Sequence, residues 1–151
     1  MVNKPKIITI LARLWLALGV IFTIILCFVI YLLLLILTGD PSSDPGLYGA
    51  CLMWTFIFII LLLLFTVLSF VQWDSISKFK KWAVKRSLLL SFISLLIWLG
   101  PVIYFLNTVH FSASVSLWHI FPVSMCSILI VDIVILVVSL SPAVKEFLKT
   151  Q

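Results

Sequence analysis

Polar and apolar positions along this chain do not recur at the spacing of a soluble helix or strand; they come in blocks. Four long apolar blocks, Leu14–Leu37, Leu47–Val71, Ser87–Leu106 and Phe121–Ser141, are separated by shorter polar stretches. They hold 24, 25, 20 and 21 residues, and the fourth alone contains a charged residue, Asp132. A helix rises about 1.5 Å per residue and a bilayer's hydrocarbon core is about 30 Å thick, so about 20 apolar residues cross it. Each block therefore predicts a transmembrane helix. Runs such as IVDIVILVV would also suit buried strands, but strands rarely exceed about 10 residues and barrel strands alternate apolar with polar. A helix in lipid pairs its backbone groups within itself, which settles the choice. The predicted fold is all-α, a polytopic four-helix transmembrane bundle forming a single membrane domain over residues 1–151.

Composition agrees with this reading. Apolar residues make up 64% of the chain and charged residues 10%, against roughly half and a quarter in soluble domains. Four spans and their connections use nearly the whole sequence, so function must reside in the bundle, its loops or a partner. The first block follows Lys4, Lys6 and Arg13 as a secretory core would. It is longer than the about 7–15 residues of such a core and ends in a poor cleavage context, so it is read as an uncleaved anchor.

Charge then orients the bundle. Lys4, Lys6 and Arg13 precede the first span, Lys78, Lys80, Lys81, Lys85 and Arg86 join the second to the third, and Lys145 and Lys149 follow the fourth. All ten basic residues thus fall on one side. The other side carries Asp40 and Asp44 in TGDPSSDPG, and His110 and His119 in NTVHFSASVSLWH. The positive-inside rule predicts a multi-pass protein of the plasma membrane with both termini cytoplasmic. The net charge of +5 is then a topology signal, and no nucleic-acid partner is expected.

The basic connection 72–86 also mixes Trp73, Ile76, Phe79, Trp82 and Ala83 with its cations. At about 100° per residue those apolar residues share one half of a helical wheel. This predicts a helix lying on the inner surface, its aromatics in the headgroup zone and Lys78, Lys80, Lys81, Lys85 and Arg86 toward anionic lipid. The outer hairpin is built from turn formers, Pro41, Pro45 and the Asp and Ser residues between them.

Asp132 lies near the middle of its span, 11 residues after Phe121 and 9 before Ser141. An aspartate there costs about 2.5–3.5 kcal/mol on insertion scales, and such residues face protein or water and often mark a function. Desolvation penalises its charged form, so a neutral carboxyl is expected. No cation lies at its depth, since Arg13 is about 18 Å of helix rise from the middle of the first span. Its expected partners are Thr23 and Cys27 of the first span and Ser94 and Trp98 of the third. Ser139 shares its face, seven residues on. Such hydrogen bonds between helices contribute about 0.6–2 kcal/mol each. The leading reading is interhelical glue; the alternative is a proton or cation site, although proton relays usually string together several ionisable groups and this chain offers one.

Gly19, Thr23 and Cys27, four residues apart, predict a face for close helix packing. Ser87, Ser91 and Ser94 form a polar edge on the third span, and Gly100-Pro101 invites a kink. His110, His119, Asp40 and Asp44 are the only plausible metal set, a weak one because nothing fixes their geometry. Cys27, Cys51 and Cys126 form no CxxC pair and read first as ordinary buried free cysteines; the alternative, where the outer face is oxidising, is a Cys51–Cys126 disulfide, since both lie at a similar depth near that face. No phosphate-binding loop, HExxH, GxSxG or dinucleotide fingerprint occurs. No cofactor and no catalytic residue is expected.

Three stretches, KPKIITILARLWLALGVIF, WAVKRSLLLSF and LSPAVKEFLK, resemble a group of small uncharacterised four-span prokaryotic membrane proteins, which open on a basic-Pro segment and close on an SPxVKxF-like tail. The resemblance implies the four-span topology and no activity. Small multidrug transporters are also short four-span proteins with a lone acid, but theirs lies in the first helix, where this chain has none. The sequence therefore leads to a non-enzymatic accessory or scaffold protein, packed against a second copy or another membrane protein. A small proton- or cation-coupled transporter component using Asp132 is the alternative.

Overall fold

A computed structural model describes residues 6–38, 45–108 and 117–149. Among the described residues the chain is helical: α1 (Lys6–Thr38), α2 (Pro45–Ser77), α3 (Lys81–Thr108), α4 (Leu117–Leu140) and α5 (Pro142–Lys149). Three stretches, Lys6–Leu34, Thr55–Ser77 and Lys81–Ile103, are long and apolar enough to cross a membrane. A fourth is reached if α4 and α5, bent by 53°, are taken together. The helices alternate in direction. α1 packs chiefly on α2 and α3 on α4, while α1 also lies against α4 and α2 touches α3 more lightly. Every described Lys and Arg belongs to one end of this bundle, called here the basic end.

The bundle is apolar outside, and α2, α3 and α4 bring a set of polar side chains into its otherwise apolar core. On α3, Ser87, Ser91, Ser94 and Trp98 are buried while Leu88, Leu89, Phe92, Leu96 and Ile97 are exposed. On α4, Asp132 and Ser139 are buried with Ile128 and Ile135, while Ile130, Ile133 and Val137 are exposed. α2 repeats the pattern with Ser69, Gln72 and Ser75 inside and Ile60, Leu63, Leu64 and Val67 outside. A soluble helix turns its apolar stripe inward and a polar face outward; these helices carry apolar residues on their outer faces as well.

The basic end corrects one expectation. No separate surface helix occupies 72–86: α2 continues to Ser77 and α3 begins at Lys81, leaving a tight turn between them. The Phe79 amide donates to the Ile76 carbonyl (2.9 Å) and the Lys80 amide to the Ser75 carbonyl (3.1 Å). This is the Schellman arrangement that satisfies the last carbonyls of a helix. It requires a left-handed residue, and Phe79 takes that position with φ 58°. The Gln72 side-chain amide donates across the hairpin to the Ala83 carbonyl. The apolar periodicity of 72–86 belongs to two helix ends facing a common core, where Ile76 and Ala83 are buried and Trp82 stays outside beneath Lys80 and Arg86. The turn was hard to read because no Gly or Pro marks it.

α4 stops at Leu140, and Pro142 opens α5 at the first helical position, where a missing N–H costs nothing. The Ser141 carbonyl accepts from the amides of Val144 and Lys145 (both 3.2 Å). α5 folds over the basic end, burying Val144 and Phe147. The Phe147 ring lies 6.4 Å from that of Phe79, and Lys81 Nζ donates to the Leu148 carbonyl (3.3 Å). A cation there also suits the negative end of the α5 dipole.

Left-handed geometry costs a non-glycine residue about 1–2 kcal/mol, and the Phe147 contact offsets it. In a Phe147→Ala background, Phe79→Gly is therefore expected to raise the unfolding free energy by about 1 kcal/mol. In the wild-type background the gain should shrink or reverse. Thermal unfolding in detergent compares the two, and equal effects would show that the Phe79–Phe147 contact is idle.

Candidate functional site

Polar side chains converge at the centre of the bundle, where α3 and α4 meet. Asp132 is fully buried, and its Oδ2 accepts a hydrogen bond from Ser94 Oγ at 2.6 Å. The other carboxyl oxygen, Oδ1, has no protein partner. No described Lys or Arg pairs with it; the ion pair shown, Lys78–Asp74 at 2.7 Å, is exposed at the basic end.

The Ser94–Asp132 bond fixes the antiparallel register. Seven residues toward the basic end along each helix bring Ser87 and Ser139 to a common level, about 10 Å away. There Trp15 Nε1 of α1 donates to Ser87 Oγ, tying α1 to α3. Between the two levels Ser91 Oγ donates back to the Ser87 carbonyl of its own helix (2.9 Å). Ser139 is buried with its hydroxyl unpartnered, as are the hydroxyls of Ser69 and Ser141.

On the other side of Asp132 the core becomes aromatic. Trp98, one turn beyond Ser94, lies 5.6 Å from the Phe22 ring, 5.4 Å from Phe58 and 5.8 Å from Phe65, centroid to centroid. Phe22 and Phe65 also pack at 5.6 Å. Trp98 is fully buried, and its Nε1 has no partner. Ser87, Ser91 and Ser139 thus lie between Asp132 and the basic end, alongside the buried Trp15 and Ile135, and a cluster of rings packs beyond it.

Of the side chains expected near Asp132, Ser94 touches it. Thr23 Oγ1 instead donates to the Gly19 carbonyl of its own helix (2.8 Å). Gly19 is buried, and a Cβ there would come within 3.3 Å of the Phe70 ring, so the glycine does admit a close neighbour. Cys27 is exposed. Eight residues at about 100° each leave it roughly 80° around the helix from Gly19, which carries it off the packed face. Lys80, Lys85 and Arg86 are exposed and Lys81 is half-buried against α5.

Cys126 is a half-buried free cysteine, and the Cys51 side chain, the other half of the expected bridge, lies outside the described residues. Asp40, Asp44 and His110 lie outside the described residues, as does the His119 side chain. Among the described residues no group of three His, Cys, Asp or Glu side chains comes together. α3 runs on through Gly100-Pro101 as one helix to Thr108. Sequence reading passed over Trp15, Ser69, Gln72 and Ser75. The last three lie at three-residue spacing near the end of α2, which was the available signal.

A second feature sits at the basic end, a cleft of about 320 Å³ between α1 and the end of α2. Ile8, Ala12, Leu16, Trp73, Ile76 and Phe79 give it apolar walls, and Thr9, Arg13 and Ser77 add polar groups. Arg13 is exposed and forms none of the ion pairs seen among the described residues.

Fold and site together define an all-helical bundle with apolar helices and a cluster of polar side chains in its core. Comparison with protein-family models, with curated proteins and with solved structures finds no match for this chain.

Proposed function

We propose that this protein is a non-enzymatic integral membrane protein, a four-span bundle with both termini cytoplasmic, that serves as an accessory or scaffold subunit for a second copy or another membrane protein. One observation carries the reading: a set of polar side chains on α2 to α4 turns inward, where Ser94 pairs with Asp132 and Trp15 with Ser87, while the outer faces of α1 to α4 are mainly Leu, Ile, Val and Phe. Continuous apolar surface of this extent suits lipid and the flanks of other membrane helices, where packing drives association. Asp132 has its partner in its own chain, so it acts as glue within the bundle and leaves the exterior free for assembly. The Arg13 cleft adds a cation beside apolar walls at the cytoplasmic level, which fits an anionic lipid headgroup.

Single-cysteine variants in a cysteine-free background test this. Ser77→Cys should react with an impermeant thiol reagent only from the cytoplasmic side, and Ser43→Cys and Ser114→Cys only from outside; any other pattern overturns the orientation. In mild detergent the purified chain should run as an assembly heavier than one 17.1 kDa copy. A strictly monomeric chain that carries a proton flux abolished by Asp132→Asn would sink the scaffold reading in favour of transport.

A further inference from the structure

The cleft between α1 and the end of α2 has a direction. Of the residues that line it, Thr9 and Ser77 lie toward the end of the bundle, and Leu16 and Trp73 lie nearest its centre. Arg13 stands between them, about 6 Å of helix rise deeper than Thr9. Ile8, Ala12 and Ile76 are buried and form the floor, and no acid lines the cleft. The apolar stretch of α1 opens at Leu14, directly after Arg13. The guanidinium therefore stands where charge gives way to a surface suited to hydrocarbon.

Cations beside the α2–α3 turn already have partners: Lys78 pairs with Asp74 (2.7 Å), Lys81 donates to the Leu148 carbonyl (3.3 Å), and Lys80 and Arg86 lie over the Trp82 ring at 5.8 and 5.6 Å. Arg13 is exposed and borders the open cleft. Lys6, also exposed, precedes it by seven residues, two turns that return it to the same face of α1 within about 20°. Two cations along one helix face, beside apolar walls, complement an anion that is itself joined to hydrocarbon. The volume of about 320 Å³ falls at the low end of the about 300–1,000 Å³ of small-molecule sites. It admits a phosphate, a glycerol and the first carbons of a chain, and leaves the rest of that chain in the bilayer.

We propose that this cleft binds one anionic phospholipid drawn from the bilayer, with its phosphate on the Arg13 guanidinium and the upper part of an acyl chain against Ala12, Leu16 and Trp73. In the membrane reading, on which this rests, the cleft opens at the cytoplasmic leaflet, where anionic lipids concentrate. Arginine presents a planar fork of donors that can hold two phosphate oxygens at once, and the Thr9 hydroxyl lies on the headgroup side. Free phosphate would use the Arg13 end and leave Leu16 and Trp73 uncovered; a lipid fits the whole length. The site is discrete, one lipid for each copy of the chain, unlike the diffuse attraction of Lys85 and Arg86, which any anionic headgroup satisfies.

Native mass spectrometry of the full chain in a neutral detergent, titrated with phosphatidylglycerol or with phosphatidylcholine of the same acyl chains, provides the test. One phosphatidylglycerol per copy should be retained at about fivefold lower concentration than phosphatidylcholine, the factor that a single interfacial cation supplies. Arg13→Gln should abolish this preference and Arg86→Gln should leave it intact. Glycerol phosphate, which carries the headgroup without a chain, should fail to displace the lipid at equal concentration. Equal retention of the two lipids, an unchanged preference in Arg13→Gln, an equal loss in Arg86→Gln, or displacement by glycerol phosphate each overturns the proposal. The comparison of the two lipids uses the unsubstituted chain, so it decides even if Arg13→Gln does not fold. A chain that stays dissolved without detergent sinks the membrane reading and this inference with it. A detergent-dependent chain that retains both lipids alike sinks the inference alone.

Discussion

Trp98→Ala is expected to destabilise the bundle by about 3–5 kcal/mol, the usual cost of truncating a buried aromatic to alanine. Trp98 is the largest fully buried side chain among the described residues, and it touches the rings of Phe22, Phe58 and Phe65, which belong to α1 and α2. Through these contacts α3 is held to the α1–α2 hairpin, whereas the direct packing of α2 on α3 is light. Trp98→Phe keeps a ring in that space and should recover more than half of the loss. It also removes the unpartnered indole N–H, which offsets part of the missing volume. Unfolding in mixed micelles, followed by the fluorescence of the remaining tryptophans, measures both. Equal losses for Ala and Phe would mean that ring packing does not hold these helices together.

The Ser94–Asp132 pair should respond with opposite signs to different substitutions. Ser94→Ala leaves both carboxyl oxygens without a protein partner and is expected to cost about 1–3 kcal/mol. Combining it with Asp132→Leu replaces the polar pair by apolar groups of similar bulk. Such replacements are often neutral or stabilising by about 1–4 kcal/mol, so the double variant should match or exceed the wild type. The same unfolding assay decides: a double variant less stable than Ser94→Ala would show that Asp132 contributes through contacts other than Ser94. A double variant more stable than wild type implies that the aspartate persists for what it does, since the fold stands without it.

How much of this was legible in the sequence follows from the physics of each signal. Long helices were legible because apolar blocks of 20 or more residues admit few other structures, and the helices contain all four blocks but for Ser141, where α4 breaks. Ser94 was legible as a neighbour of Asp132 because depth counting places both near the middle of antiparallel spans. Rotation around the helix axis was harder. A four-residue spacing grouped Gly19, Thr23 and Cys27, yet the drift over two steps brought Cys27 to the surface. The α2–α3 turn escaped because its left-handed residue is a phenylalanine, and an amphipathic period does not reveal whether one helix or two helix ends produce it. The unpartnered hydroxyls of Ser69 and Ser139 escaped for another reason: whether a buried serine meets a partner is decided by the register and rotation of the helices around it.

The apolar stretch of α1, 24 residues from Leu14 to Leu37, is about 36 Å long in a helix, against about 30 Å of hydrocarbon. In the membrane reading this excess makes the protein sensitive to bilayer thickness. It can tilt in a thin membrane or stand upright in a thick one, and tilt would carry the buried Trp15–Ser87 tie along with it. Lipid chain length then becomes a variable acting on the basic end, through a mechanical coupling that no side chain at that end supplies by itself.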